Sequence, residues 1–376
     1  MNFDFPDELK MLRDQARKLL ADKCPPAVPR KILDHGGSYD RALWAEMGAM
    51  GWIGASVPEE YGGAGLGALA VCVLAEEIGR AVAPVPYSSS VYLAIEALMA
   101  YGSPEQKNAY LPRLASGELI GTFAAAEQPG ALRLDTLKTR RAGGRITGVK
   151  LAVPDGDVAD ICVVAAHDAL RGPVLCLAEL AGSGVEREAI TTFDPTRGHA
   201  RLTFDGASCE ILESAQGAPA IRHLIDRAAI LMAFEQVGGA QAALDTATAY
   251  AKERVAFGRL IGSFQAIKHK LADVYVAVEL ARSNAYWGAW ALHTGAAELP
   301  LAAATARIAA TDAGWLAAKE NIQTHGGMGY TWDGDAHLYY RRAKLLGVAL
   351  GGVREWKRRL VAELQMSNAA GLLPID

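Results

Sequence analysis

From Asp7 onward apolar residues recur at three- and four-residue steps. Leu9, Leu12, Ala16, Leu19 and Leu20 share a face, which predicts an amphipathic helix. Asp7 is placed to cap its start. Cys24-Pro25-Pro26 ends it, because proline lacks the amide donor and its ring clashes with the preceding turn. Asp40 precedes a second run through Leu43, Trp44, Met47 and Met50, which Gly51 closes. The stretch Pro58-Glu59-Glu60-Tyr61-Gly62-Gly63-Ala64-Gly65 reads as a loop, since paired glycines sustain neither a helical nor a strand period. Helix resumes near Leu66, and Ser103-Pro104-Glu105-Gln106 has the form of a capping box with proline at the first helical position.

Near Ile120 the pattern changes to short β-rich runs: Arg145-Ile146-Thr147-Gly148-Val149, Asp160-Ile161-Cys162-Val163-Val164, Pro173-Val174-Leu175-Cys176-Leu177 and Ala200-Arg201-Leu202-Thr203-Phe204. Gly, Asp and Pro turns separate them, and strands so spaced without helices between them predict an antiparallel barrel or sandwich. After Pro219 three long amphipathic runs follow, over 220–253, 263–293 and 299–324, with two shorter ones beyond a glycine-rich loop. Helices of that length with a wide apolar face bury it only in a bundle. The expected fold class is α+β. An N-terminal helical domain spans 1–119, a central antiparallel β-barrel or sandwich domain 120–216, and a C-terminal four-helix-type bundle 217–376.

Composition narrows the function classes. A chain of 376 residues, 51% hydrophobic and 21% charged, can bury a core without disulfide or metal staples, and its 39 glycines follow no strict period, which excludes fibre. With a net charge of −4 and no Lys/Arg stripe, nucleic acid is not an expected partner. Arg354, Lys357, Arg358 and Arg359 lie in the amphipathic run VREWKRRLVAEL and read as a solvated helix face. Five widely spaced cysteines without a C-x-x-C pair suit small buried side chains in a reducing compartment, and no metal site is expected. The start MNFDFPDELK lacks the regions of a signal peptide, and no apolar run approaches the ~20 residues that span a bilayer. The expectation is a cytoplasmic protein with no membrane association.

Two segments of the C-terminal region carry candidate chemistry. Arg254-Val255-Ala256-Phe257-Gly258-Arg259-Leu260-Ile261-Gly262-Ser263-Phe264-Gln265 lies between two long helices. A guanidinium, an aromatic ring, two glycines and an amide suit a phosphate-bearing ligand with an adenine. A glycine-containing turn with an exposed arginine accounts for the same residues. Gln323-Thr324-His325-Gly326-Gly327-Met328-Gly329-Tyr330-Thr331 puts bare backbone amides at a helix end, which suits phosphate oxygens; a helix C-cap followed by a turn is the alternative.

The order and spacing of these segments resemble the acyl-CoA dehydrogenase family of flavoproteins across essentially the whole chain. The resemblance rests on the PEEYGGAGLG loop, the SPEQKNAYLPRLASGE segment, the central β region, and the motifs R-x-x-F-G-x-x-I-G-x-F-Q and Q-x-H-G-G-x-G-Y. It implies a dimer or tetramer, of like or unlike chains, with FAD lying between subunits, an acyl-CoA substrate and an electron-transfer acceptor. Carried over by position, Arg254, Phe257 and Gln265 would hold the pyrophosphate and adenine end of a neighbouring subunit's FAD, with Gln323, Gly326 and Gly327 beside them. The implied reaction is α,β-desaturation of the thioester: a carboxylate takes the α-proton while hydride leaves the β-carbon for the flavin.

Two departures from the family pattern bear on that reaction. The family's glutamate base falls, counting from Ala343 and Lys344, on Leu350 of Ala349-Leu350-Gly351-Gly352, and leucine accepts no proton. The family's other base position lands near Ala228, with Asp226 two residues earlier; a helix turns ~100° per residue, so Asp226 faces a flavin only with a shifted register. Glu235, Asp333 and Asp335 read as surface or capping carboxylates. In the β region, the family's Thr-Glu-Pro-x-x-Gly-Ser-Asp and Trp-Ile-Thr/Ser runs are replaced by Ala126-Glu127-Gln128-Pro129-Gly130-Ala131-Leu132-Arg133-Leu134-Asp135 and Ala152-Val153-Pro154. Hydroxyls and a stacking ring are lost, which weakens retention of the chain's own flavin. The leading expectation is an FAD-dependent acyl-CoA desaturase, acting alone or as half of a heteromer. The alternative is a catalytically degenerate partner subunit that contributes to a neighbour's FAD site, and a third is another reaction on the same architecture, such as nitroalkane oxidation or aromatic hydroxylation.

Overall fold

A computed structural model describes residues 5–130, 132–215 and 217–369. The described residues pack as two compact units, one drawn from those within 5–29, 72–83 and 229–369, the other from those within 30–71 and 84–228.

Local sequence signals set the early helices. Helix α1 (Asp7–Lys23) is capped by Pro6, so Asp7 sits inside the first turn, where its charge meets the positive helix end. Helix α2 (Ala27–His35) follows the double proline. Helix α3 (Arg41–Ala49) starts with the Asp40 carboxylate accepting from the Leu43 amide at 2.8 Å. Helix α4 (Gly67–Arg80) precedes a buried bent stretch in which α5 (Tyr87–Ser89) and α6 (Glu96–Tyr101) flank a π turn at Ser90–Ile95. Helix α7 (Pro104–Ala115) opens on the full capping box of Ser103 and Gln106.

In the second unit an eight-stranded sheet is built from β1 (Gly121–Ala124), β2 (Arg140–Ala142), β3 (Arg145–Pro154), β4 (Ile161–Asp168), β5 (Gly172–Glu179), β6 (Val185–Ala189), β7 (His199–Ser208) and β8 (Glu210–Ile211). Its order is β6-β7-β3-β2-β4-β5-β8, with β1 also on β4. The four strands legible in sequence are β3, β4, β5 and β7. The sheet is mixed, not purely antiparallel: β4 runs parallel to both β1 and β2. Alternation marks a strand but carries no direction, which is set by the path between strands. Gly121–Ala124 pair with Ile161–Val164, while Arg140 and Arg141 pair with His167 and Asp168. Strands β1 and β2 therefore lie in line along one edge of β4, and residues 125–139 are an excursion out of a single strand line.

The first unit is helical: α8 (Gly217–Glu253, from Ala229 on), α9 (Gln265–Thr294), α10 (Leu299–His325), the single turn α11 (Gly327–Tyr330), α12 (Ala336–Val348) and α13 (Val353–Ala369), joined by α1 and Cys72–Ala83. Alanine dominates the buried face of α10, at Ala302, Ala303, Ala306, Ala310, Ala313 and Ala317, which lets neighbouring helices pack close. The tightest crossing is between α4 and α8. A Cβ on Gly79 would lie 1.8 Å from the Glu235 carbonyl oxygen, and one on Gly238 1.8 Å from that of Glu76. Ion pairs frame this crossing: Arg17 with Glu77 at 2.6 Å, Arg80 with Asp245 at 2.6 Å, and Arg282 with Glu76. Among the described residues no helix is long and apolar enough to cross a membrane.

Gly79→Ala is expected to destabilise the protein by about 3 kcal/mol or more, because rigid backbone meets the added methyl. Urea denaturation measures this, and a loss under about 0.5 kcal/mol would show that the two helices slide apart freely.

Candidate functional site

The connection between α8 and α9 is a hairpin. Strands β9 (Val255–Ala256) and β10 (Arg259–Leu260) pair antiparallel, and the turn residues Phe257 and Gly258 have φ of +53° and +77°, as a two-residue hairpin turn of the primed type requires. The Phe257 ring projects from the tip, 96% exposed. Arg254 stands at the base: its amide donates to the Tyr250 carbonyl at 2.9 Å and its carbonyl accepts from Ile261 at 2.8 Å. Its guanidinium is exposed and, among the described residues, engages no acid or ring. Gln265, also exposed, opens α9.

The glycine segment begins where α10 ends. Gly326 takes φ +59° and ψ −132°, a conformation open to glycine, and neither Gly326 nor Gly327 would bring a Cβ within 4 Å of anything. Gly329 differs: its Cβ would meet the Ile322 carbonyl oxygen at 2.5 Å, so it serves packing. Gln323 is exposed one residue before buried Thr324. The hairpin and the glycine segment are joined by the Tyr250 ring stacked on His325 at 4.2 Å, and by Lys270 of α9 paired with Glu320 of α10 at 3.2 Å. Arg254, Phe257, Gln265, Gln323, Gly326 and Gly327 thus occupy one exposed end of the bundle. A free guanidinium, an exposed ring, two amides and bare backbone there can take phosphate oxygens and a stacked base.

Position 350 cannot accept a proton. Leu350 follows α12 with φ +58°, a strained conformation for leucine, and the residues around it, Ala349, Gly351 and Gly352, have no ionisable side chain. The segment is nonetheless firmly held. Arg307 of α10, fully buried, donates to the carbonyls of Leu346 and Ala349 (2.7 Å to the latter) and to the Gln236 side-chain oxygen, capping the carbonyl end of α12. Burial pulls the Arg307 guanidinium down to about 9, against the opposing pull of Glu235, so it remains charged at neutral pH. Of the other carboxylates, Glu235 is not at the surface as its position in sequence suggested: it is fully buried with Arg342 Nη1 3.6 Å away. Asp226 belongs to the second unit, buried on α8 beside Arg227, which pairs with buried Glu96 at 2.7 Å. Asp333 is exposed, and Asp335 immediately precedes α12.

In the β unit the 125–139 excursion is anchored by a buried ion pair. Glu127 accepts from Lys150 Nζ at 2.8 Å and from the amides of Lys138 and Thr139 at 2.5 and 2.8 Å, and the Leu151 amide donates to the Ala126 carbonyl at 2.8 Å. Burial pushes the Glu127 carboxyl up, but these hydrogen bonds outweigh it and hold the group down at about 2; burial also pulls the Lys150 ammonium down. The loop borders a partly open cavity of about 70 Å³ lined by Gln128, Leu132, Arg133, Thr136 and Lys138 among others. Among the described residues that line this cavity there is no aromatic ring, and Thr136 supplies a hydroxyl. Next to Lys150 a bulge puts Ala152 at φ +48°. The donors, ring and bare backbone at the exposed end of the bundle are of the kinds that could hold the nucleotide part of FAD. Lys150 and Arg307 were not singled out in sequence, although a lysine inside an apolar strand and an arginine inside an alanine run mark buried charges.

Helices, a curled mixed sheet and a long-helix bundle, in that order, define a class of flavoprotein dehydrogenases. Residues 6–118 match the acyl-CoA dehydrogenase N-terminal domain and residues 215–366 the acyl-CoA dehydrogenase C-terminal domain, and the chain belongs to the acyl-CoA dehydrogenase family, whose cofactor is FAD. It is 37% identical to acyl-CoA dehydrogenase IpdE2 of Mycobacterium tuberculosis over 96% of this chain and 98% of that one. Among solved structures it is similar to a variant of the Tcur3481-Tcur3483 steroid ACAD, with TM-score 0.89, 32% identity, and 97% and 99% of the two chains covered. It is also similar to the ChsE4-ChsE5 complex from Mycobacterium tuberculosis, with TM-score 0.90, 29% identity and the same coverage.

Glu127→Gln leaves Lys150 buried without its counter-charge and is expected to cost about 3 kcal/mol at neutral pH. Because the native carboxyl titrates near 2 rather than 4.5, its contribution is complete above about pH 5 and is lost as pH falls toward 2. Acid denaturation of the variant should accordingly be flatter in that window; equal slopes for variant and parent would contradict the pairing.

Proposed function

We propose that this chain is one of two unlike subunits of an acyl-CoA dehydrogenase, and that it closes over the nucleotide end of an FAD whose flavin ring rests on the other subunit. The observation that carries this reading is an open, unpartnered nucleotide clasp on a chain whose base position holds Leu350. FAD, when bound, supplies the hydride acceptor for desaturation of the acyl-CoA thioester. This chain's part is binding. Arg254 presents two donors to phosphate, Phe257 a face to the adenine, Gln265 and Gln323 side-chain amides, and Gly326 and Gly327 backbone that a ligand can approach closely. Two of the similar structures support the reading: one is a ChsE4-ChsE5 complex, and the other, a steroid ACAD, carries the paired name Tcur3481-Tcur3483. The steroid ACAD also favours a bulky acyl group. An electron-transfer partner would reoxidise the flavin.

The chain purified alone should be colourless, and the assembly that copurifies with it from its native cells should carry one FAD per two chains and bleach anaerobically with acyl-CoA. A yellow preparation of the single chain with about one FAD per chain would overturn the reading. Arg254→Ala should weaken FAD retention by the assembly about tenfold or more, through loss of a charged hydrogen-bond donor pair. Asp226→Asn should leave flavin reduction by substrate unchanged; its abolition with FAD still bound would make Asp226 the base and this chain a self-sufficient enzyme.

A further inference from the structure

Resting on the reading above, we propose that Arg259 is a positioning residue for the nucleotide clasp, acting on Phe257 through Phe264. The hairpin has only two residues in each strand, too few to order itself. Its tip carries a bulky residue in the left-handed region, a conformation that persists only where surroundings hold it. Core packing supplies no such hold, because the Phe257 ring is 96% exposed. Among the described residues its ring meets that of Phe264 in a T-shaped pair, at 6.3 Å and 87°. Phe264 is in turn covered by the Arg259 guanidinium, 3.9 Å from the ring centroid.

The two arginines of the hairpin are thereby divided. Arg254 has no side-chain partner among the described residues and is open to an anion, whereas Arg259 is committed to a ring. The base of Phe264 is fixed as well. Ser263 Oγ donates to the Leu260 carbonyl at 2.6 Å, and a Cβ on Gly262 would meet the Ala251 carbonyl oxygen at 2.7 Å, so the turn sits hard against the end of α8. Phe264 also directly precedes Gln265, the first residue of α9. A stacked Arg259 therefore orders two contact residues of the clasp, Phe257 at the tip and Gln265 at the helix start, without touching the nucleotide itself. Preorganisation of this kind improves affinity by removing an ordering cost that binding would otherwise incur.

The test is FAD titration of the apo-assembly copurified with this chain, read by flavin fluorescence, with thermal melting of each variant as a control. Arg259→Met should weaken FAD binding about two- to fivefold with the melting temperature unchanged, since the hairpin is exposed. Arg259→Lys, which keeps a cation over the ring, should recover most of the loss. Phe264→Leu should weaken binding similarly, and the Arg259→Met/Phe264→Leu double variant should be no weaker than the worse single, because the two act as one unit. Losses that multiply in the double variant would mean that Arg259 touches the nucleotide directly, and an unchanged affinity in Arg259→Met would mean it does nothing; either overturns the proposal. Arg254→Ala separates the two levels: if it weakens binding while Arg259→Met does not, the clasp stands and the positioning role falls, and if neither does, the clasp itself falls.

Discussion

A phenylalanine ring held almost wholly in water, at the tip of a two-residue turn and on strained backbone, is a cost this chain does not recover by itself. The neighbouring Arg254 guanidinium and the bare backbone of Gly326 and Gly327 repeat the pattern with polar groups, each prepared for a contact that the chain does not make internally. In the proposed reading, such a surface meets a second chain in an assembly. Everything proposed about function follows from that one unsatisfied end of the bundle.

The interior tells the complementary story. Buried polar networks hold two segments on which the proposed reading turns. Arg307 caps the carbonyl end of α12, directly before Leu350. Lys150 and Glu127 pin the 125–139 excursion to the sheet, and the cavity beside it is lined by Gln128, Leu132, Arg133 and Thr136 among others. Buried ion pairs are costly to break one side at a time, which fixes both segments in place.

Much of this architecture was legible in the sequence, for identifiable reasons. Asp40 and the Ser103–Gln106 box mark helix starts because their side chains replace missing backbone partners, and the long bundle helices declare themselves by period. The parallel pairing of β1 and β2 with β4 was not legible, because short strands of three or four residues carry no direction and their partner lies many residues further along. Motif spacing drew attention to Arg254, Phe257, Gln265, Gln323, Gly326 and Gly327, but not to the hairpin that carries Phe257, because its two-residue strands are too short to leave a period. Glu235 reads as a surface acid on a long helix, and only the close approach of α4 over Gly79 and Gly238 buries it.

Which polypeptide seats the flavin is decided by a cryo-electron microscopy structure of the FAD-loaded assembly isolated from native cells. Arg254 should lie within hydrogen-bonding distance of the pyrophosphate of an FAD whose isoalloxazine rests on a different, related polypeptide. An isoalloxazine seated on this chain's own 125–139 loop beside Ala152, or an Arg254 facing bulk water in the loaded assembly, would refute the division of labour between two unlike chains.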